Sequence, residues 1–160
     1  MLDHGVIGWR CSGDRPPPGD VSPDGAGSLP QAFLEQPVLI IEDEAMIAWT
    51  LDSLLEDLGF VSITITARGE DAIAAATQLQ PGLIVSDINL GIRGMDGIAA
   101  TIAIRRTRLI PILFVTGHAG ADATARIGHD LPDALVLRKP IAYSDLQRAL
   151  VRLSQALKPS

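Results

Sequence analysis

Glu42 with Asp43, Asp87, Thr116 and Lys139 each stand at the end of a run of apolar residues in this 160-residue chain. Brought together, they amount to three carboxylates, a hydroxyl and an ammonium. Crowded carboxylates disfavour one another's ionisation and need a cation. Oxygen donors without histidine or cysteine suit a hard ion, and a shallow site that keeps its waters suits Mg²⁺ better than Ca²⁺. Lys139 and Thr116 add a positive point charge and a hydrogen-bond donor, which an incoming phosphoryl group would use. Each acid alone has a plainer reading as a solvated turn residue. Four strand ends with complementary groups favour the chemical one.

The runs themselves read as buried strands. Val38-Leu39-Ile40-Ile41 is unbroken and apolar, as in a central parallel strand covered on both faces. Ile47, Leu51, Leu54, Leu55 and Leu58 follow at helical spacing, with Gly59 placed to close the helix. Val61, Ile63 and Ile65 alternate with Ser62, Thr64 and Thr66, which predicts a wetter strand at a sheet edge. Ala72, Ile73, Ala76 and Leu79 form a second helix stripe before Pro81-Gly82, and Leu83-Ile84-Val85 is a third strand. A helix around Ile98 and Ile102, a strand over 110–115, a weakly helical stretch over 119–128 and a strand over 134–137 come next. The last helix is expected to start near Ser144, where Ser144 and Gln147 have capping-box spacing, and to bury Leu146, Leu150, Leu153 and Leu157. Five strands alternating with five helices imply an α/β fold: a doubly wound, five-stranded parallel sheet with helices on both faces. In such a sheet the functional crevice lies outside the carboxyl ends of the strands, where the polar residues stand.

Composition narrows the partners. Apolar residues at 47% and charged residues at 20% suit a folded globular domain. A formal net charge of -6 argues against nucleic acid or an anionic membrane, both of which require a basic face. No apolar window is long enough to span a bilayer. Cys11 is the only cysteine, which excludes an internal disulfide framework and fits a reducing, cytoplasmic setting. Residues 1–36 carry five prolines and six glycines without an apolar period, so they read as a disordered tail ahead of a domain over 37–158. Val6, Ile7 and Trp9 in it are read as part of an inert extension rather than a docking patch.

The segments VLIIEDE (38–44), IVSDINL (84–90), Met95-Asp96-Gly97, FVTG (114–117) and Lys139-Pro140 resemble the receiver domain of bacterial two-component response regulators, in the order and nearly the spacing of that family. The likeness implies the flavodoxin-like receiver fold over about 38–157. It implies Asp87 as phospho-acceptor, Asp43 as direct Mg²⁺ ligand, Glu42 as the neighbouring acid acting through water, and Asn89 as donor of a backbone carbonyl to the metal. Thr116 becomes the switch hydroxyl, Lys139 the binder of phosphoryl oxygens, and the peptide bond before Pro140 cis. The implied function is that of a single-domain response regulator, not an enzyme. It would be charged by a histidine kinase or phosphotransfer protein and signal to a downstream protein target as a monomer or weak homodimer. The PILFVTG strand and the long loop before Asp96 bring it near stand-alone and general-stress proteobacterial receivers, which have a Phe-Ala-Thr-Gly-like fourth strand.

Three departures from that pattern stand out. Glu42 replaces the commoner aspartate. The loop between Asp87 and Asp96 is two residues longer, with Gly91 where proline is common. Val136 replaces the aromatic residue three positions before the lysine. Val136 keeps open a second class, a pseudo-receiver that works as an unphosphorylated interaction module. A third, an aspartate-nucleophile phosphatase, lacks the second aspartate two residues after Asp87, where Asn89 stands. Of the histidines, His4 and His129 read as surface residues, and Met95 as a packing residue. His118, two after Thr116, lies in the family near the path of the hydrolytic water.

Overall fold

The computed structural model describes residues 27–91 and 94–157. The chain runs α1 (Gln31–Leu34), β1 (Val38–Ile41), α2 (Ala45–Leu58), β2 (Ile63–Thr66), α3 (Gly69–Leu79), β3 (Leu83–Ser86), α4 (Gly97–Arg105), β4 (Ile112–Thr116), α5 (Ala121–Asp130), β5 (Leu135–Arg138) and α6 (Tyr143–Ala156). All five strands are parallel in the order β2-β1-β3-β4-β5, so the wetter β2 is an edge, as its alternation predicts.

Two apolar layers sandwich the sheet because β1, β3 and β4 are apolar on both faces. On one side Leu39, Ile41, Ile84, Ile112 and Phe114 meet α3, α4 and α5 through Ala72, Ile98, Ile104 and Ile127, with Met95 packed against them. On the other Val38, Ile40, Val85 and Leu113 meet α2 and α6 through Leu51, Leu55, Leu146 and Leu150. Each fully buried Leu or Ile stabilises the fold by about 1.5–3 kcal/mol. Gly59 ends α2 at φ 108, a left-handed cap open to glycine at no steric cost.

Several sequence expectations need correction. Helix α1 is a sixth helix, inside the segment assigned to the tail. Its Phe33 is buried edge-on against Phe60, centroids 5.5 Å apart, and Leu34 packs over Gly59. Packed chain is therefore present from Leu29 on, and the sequence does not reveal it because Phe33 and Leu34, five and four residues before β1, form an apolar pair without periodicity. The segment holding His4, Val6, Ile7, Trp9 and Cys11 lies outside the described residues. Helix α6 starts one residue early. The N–H groups of Asp145 and Leu146 donate to the Ala142 carbonyl, which puts Ser144 inside the helix, and no side chain caps it. Leu157 is the exposed C-cap of α6 rather than core. The weakly helical stretch is the full helix α5, and the Lys139-Pro140 peptide is cis.

Candidate functional site

The parallel arrangement brings Glu42, Asp43, Asp87, Thr116 and Lys139 to one end of the sheet. Carboxylate oxygens of Glu42, Asp43 and Asp87 all lie within 4.8 Å of one another. Glu42 and Asp87 are buried and Asp43 is exposed. The Lys139 ammonium joins the two buried acids, donating to Glu42 Oε2 at 2.9 Å and to Asp87 Oδ2 at 3.0 Å. Glu42 Oε1 accepts the Glu44 N–H at 3.1 Å, and Asp87 Oδ1 the Asn89 N–H at 3.3 Å. Burial raises the Glu42 carboxyl above its usual range, only partly offset by its bonds from Lys139 and the Glu44 N–H. Burial alone would lower the Lys139 ammonium, but its bonds to Glu42 and Asp87, with the charges of both, outweigh this and hold it above the ordinary lysine value.

Thr116 is the last residue of β4 and is buried. Its hydroxyl donates to the carbonyl of His118 at 3.1 Å, and Asn89 Nδ2 donates to the same carbonyl at 3.4 Å. The loops after β3 and β4 thus meet at one backbone oxygen. Val136, opposite Phe114 in the β4–β5 register, is 41% exposed on the outer strand.

Behind Asp87 the backbone is fixed tightly. Its N–H donates to the Ile41 carbonyl at 2.9 Å, and Ser86 Oγ donates to its carbonyl at 2.8 Å. Gly97 opens α4 against that same carbonyl: a Cβ there would sit 1.7 Å from the Asp87 oxygen, so only glycine fits. Asp96 caps α4, its Oδ1 accepting the Ala99 N–H at 2.7 Å, and pairs with Arg126 of α5 at 2.6 and 3.3 Å. Gly91 adopts φ +73, which explains glycine where proline is common, because proline is held near -65°. Ile92 and Arg93 of the long loop lie outside the described residues.

All six candidate site residues expected from the sequence converge here, with Asn89 contributing its N–H and its amide. Arg126 and the close approach at Gly97 were missed. Arg126 stands 30 positions from Asp96 on a helix of weak pattern, and no local spacing reveals such a pair. The Asp-Gly pair itself was the available signal for Gly97.

Comparison with known proteins agrees with this geometry. The sequence model described as "Response regulator receiver domain" matches residues 38–151. Phyllosphere-induced regulator PhyR of Methylorubrum extorquens is 32% identical over 135 residues, 84% of this chain and 48% of the relative. Transcriptional regulatory protein PdtaR of Mycobacterium tuberculosis is 32% identical over 119 residues, 74% of this chain and 57% of the relative. The chain therefore spans about half the length of these curated relatives. Among solved structures, a response regulator receiver protein from Sinorhizobium medicae superposes with a TM-score of 0.68 at 27% identity, covering 76% of this chain and 96% of that one. By its matched family, its fold and the acids at its strand ends, this chain belongs to the response regulator receiver domains of two-component signalling.

Proposed function

We propose that Asp87 accepts a phosphoryl group from the phosphohistidine of a histidine kinase or phosphotransfer protein, and that the altered surface is read by a downstream protein. On this reading the domain is a signalling module rather than an enzyme, and it works in the cytoplasm. The observation that carries it is the Lys139 ammonium held at 3.0 Å from the Asp87 carboxylate among buried acids. As the Asp87 oxygen forms its bond to phosphorus, the donor's N–P bond breaks. The electron pair stays on the imidazole nitrogen, and a ring protonated at its other nitrogen leaves as neutral imidazole. Lys139 is already within reach of the phosphoryl oxygens and stabilises the charge they carry.

Glu42, Asp43 and Asp87 would hold Mg²⁺, with the Asn89 backbone carbonyl as a further oxygen. Their donor set fits, being all carboxylate oxygens within 4.8 Å. Three carboxylates against one ammonium leave two negative charges, which a divalent ion balances. When bound, the ion supplies positive charge facing the phosphoryl oxygens. Thr116 has a single O–H to donate. To bond a phosphoryl oxygen it gives up the His118 carbonyl, and the loop after β4 is freed to move.

Incubating the full chain with Mg²⁺ and a small acyl phosphate or phosphoramidate tests this. Intact mass should show one phosphoryl group on the wild type and none on Asp87→Asn. Absence of uptake by the wild type would support the unphosphorylated interaction module, and sustained phosphate release the hydrolase reading.

A further inference from the structure

Helix α4 is tied to its neighbour at both ends. At its carboxyl end Arg105 pairs with Asp133, just past α5, through bonds at 2.8 and 2.7 Å. A cation in the last turn answers the helix dipole, so that pair has a sufficient structural reason. At the amino end Arg126 of α5 reaches Asp96, whose Oδ1 already caps α4 by accepting the Ala99 N–H. The cap needs only one oxygen. The guanidinium takes the other, Nη1 to Oδ2 at 2.6 Å, and with its second bond at 3.3 Å it fixes the plane of the carboxylate.

Asp96 in turn fixes the backbone beside Asp87. Gly97 follows it directly, donates its N–H to the Ile88 carbonyl at 2.9 Å, and lies so close to the Asp87 carbonyl that no Cβ could intervene. The preceding Met95 N–H is held from the α3 side, by Glu70 Oε1 at 3.2 Å. The exit of the long loop after β3 is thus pinned from both flanking helices, by Glu70 and by Arg126, and the Asp87 backbone packs on the pinned segment.

We infer, on the reading of Asp87 as phospho-acceptor, that Arg126 is a positioning residue for phosphoryl uptake: through Asp96 it sets where α4 begins, and through Gly97 it holds Asp87 in place for in-line attack. Displacement of α5 then alters reactivity at Asp87 by a route that passes neither through the Thr116 hydroxyl nor through position 136, where valine replaces the aromatic residue. Arg105 provides the internal contrast. It also joins α4 to its neighbour, but it stands about 12 Å farther along the helix at 1.5 Å per residue.

Labelling rates of the full chain with Mg²⁺ and phosphoramidate, followed by intact mass, test this. They are measured well below the melting temperature, where every variant is folded and a loss of stability alone leaves the rate unchanged. Arg126→Met keeps the aliphatic stem and drops the guanidinium. Its maximal rate should fall by about three- to tenfold, because a displacement of about 1 Å at the reacting atoms costs about 10²-fold and the surviving Ala99 cap keeps the displacement smaller. Arg126→Lys keeps the charge but not the fork and should recover part of the loss. Arg105→Met should lower stability and label at the wild-type rate. In an Asp96→Asn background, Arg126→Met should have no further effect, as expected of residues acting in one chain. In amide NMR spectra taken before the donor is added, Arg126→Met should shift the Asp87 and Ile88 resonances and Arg105→Met should not. An Arg126→Met variant that labels like the wild type, an equal loss in Arg105→Met, losses that add to that of Asp96→Asn, or unmoved Asp87 and Ile88 amides would each overturn the inference. A wild type that takes up no label overturns Asp87 as acceptor and any role of Arg126 in uptake with it, while the amide shifts still decide whether Arg126 positions Asp87.

Discussion

Lys139 and Glu42, 97 positions apart in sequence, form an ion pair at 2.9 Å in which the carboxylate is buried and the ammonium also holds Asp87. Replacing Lys139 with alanine leaves two buried carboxylates facing each other without a counter-charge. Breaking such a pair costs about 3–5 kcal/mol. Urea unfolding at neutral pH should show a loss of that order, and added Mg²⁺ should recover part of it. Phosphoryl uptake should fall sharply, because the charge opposite the phosphoryl oxygens is gone.

The acids are not equivalent toward a metal. Glu42 spends one oxygen on Lys139 and the other on the Glu44 N–H, whereas Asp43 is exposed. Mg²⁺ at about a hundred times its dissociation constant should stabilise the wild type by about 2.7 kcal/mol. Asp43→Ala should lose most of that increment and Glu42→Ala less. Melting curves with and without Mg²⁺ decide it, and equal losses would refute the ranking.

Much of the site was legible because the strands are. Val38 to Ile41 and Leu83 to Val85 are apolar on both faces, so their ends, and with them Asp43 and Asp87, could be placed without coordinates. Helix α1 was not legible. One turn of helix has no period to detect, and its stability comes from Phe33 meeting Phe60, a contact made only by the fold. Nor was the start of α6, where Ser144 and Gln147 have the right spacing but the chain leaving Pro140 supplies the Ala142 carbonyl first. The Asp96–Arg126 pair likewise exists only because α5 packs beside α4.

Gly97→Ala should be the most damaging small substitution. Its methyl group would sit 1.7 Å from the Asp87 carbonyl oxygen and 2.6 Å from Ser86 Oγ. We expect a destabilisation of about 3 kcal/mol, the upper end for overpacking. Phosphoryl uptake should fall further than stability alone explains, because Asp87 itself is displaced. Unfolding and labelling measured on the same sample separate the two effects.

Thr116→Ala should uncouple uptake from response. The variant should still take up a phosphoryl group at Asp87. Hydrogen exchange over residues 117–128, expected to change most in the phosphorylated wild type, should become insensitive to the phosphoryl donor. The reason is that the bond to the His118 carbonyl, which holds the loop, is already absent. A full exchange response in the variant would assign the coupling elsewhere.

Asp96 sets part of the acid limit of stability. Burial opposes its charge, yet the Arg126 guanidinium and the Ala99 N–H hold its carboxyl below the ordinary aspartate value of 3.8. That contribution is complete above the unfolded value and is lost as pH falls through the depressed folded one. Asp96→Asn keeps a cap but loses the charge, and should cost about 0.2–1 kcal/mol at neutral pH, as for a partly exposed pair. Asp96→Ala should lose the cap as well, about 1 kcal/mol more. In denaturant titrations at pH 7 and at pH 3, the gap between wild type and Asp96→Asn should narrow toward acid.

The Phe33–Phe60 contact sits where the chain enters β1 and β2, at the amino ends of the strands. Glu42, Asp87 and Lys139 follow the carboxyl ends, and four residues of strand rising about 3.3 Å each separate the two rims. The sheet is thus polarised like a plugged vessel, with an aromatic stopper at its base and an ionic mouth at its rim. Loosening the stopper by Phe33→Ala should lower the melting temperature and leave the labelling chemistry at Asp87 untouched, so robustness and signalling in this domain can be varied independently of each other.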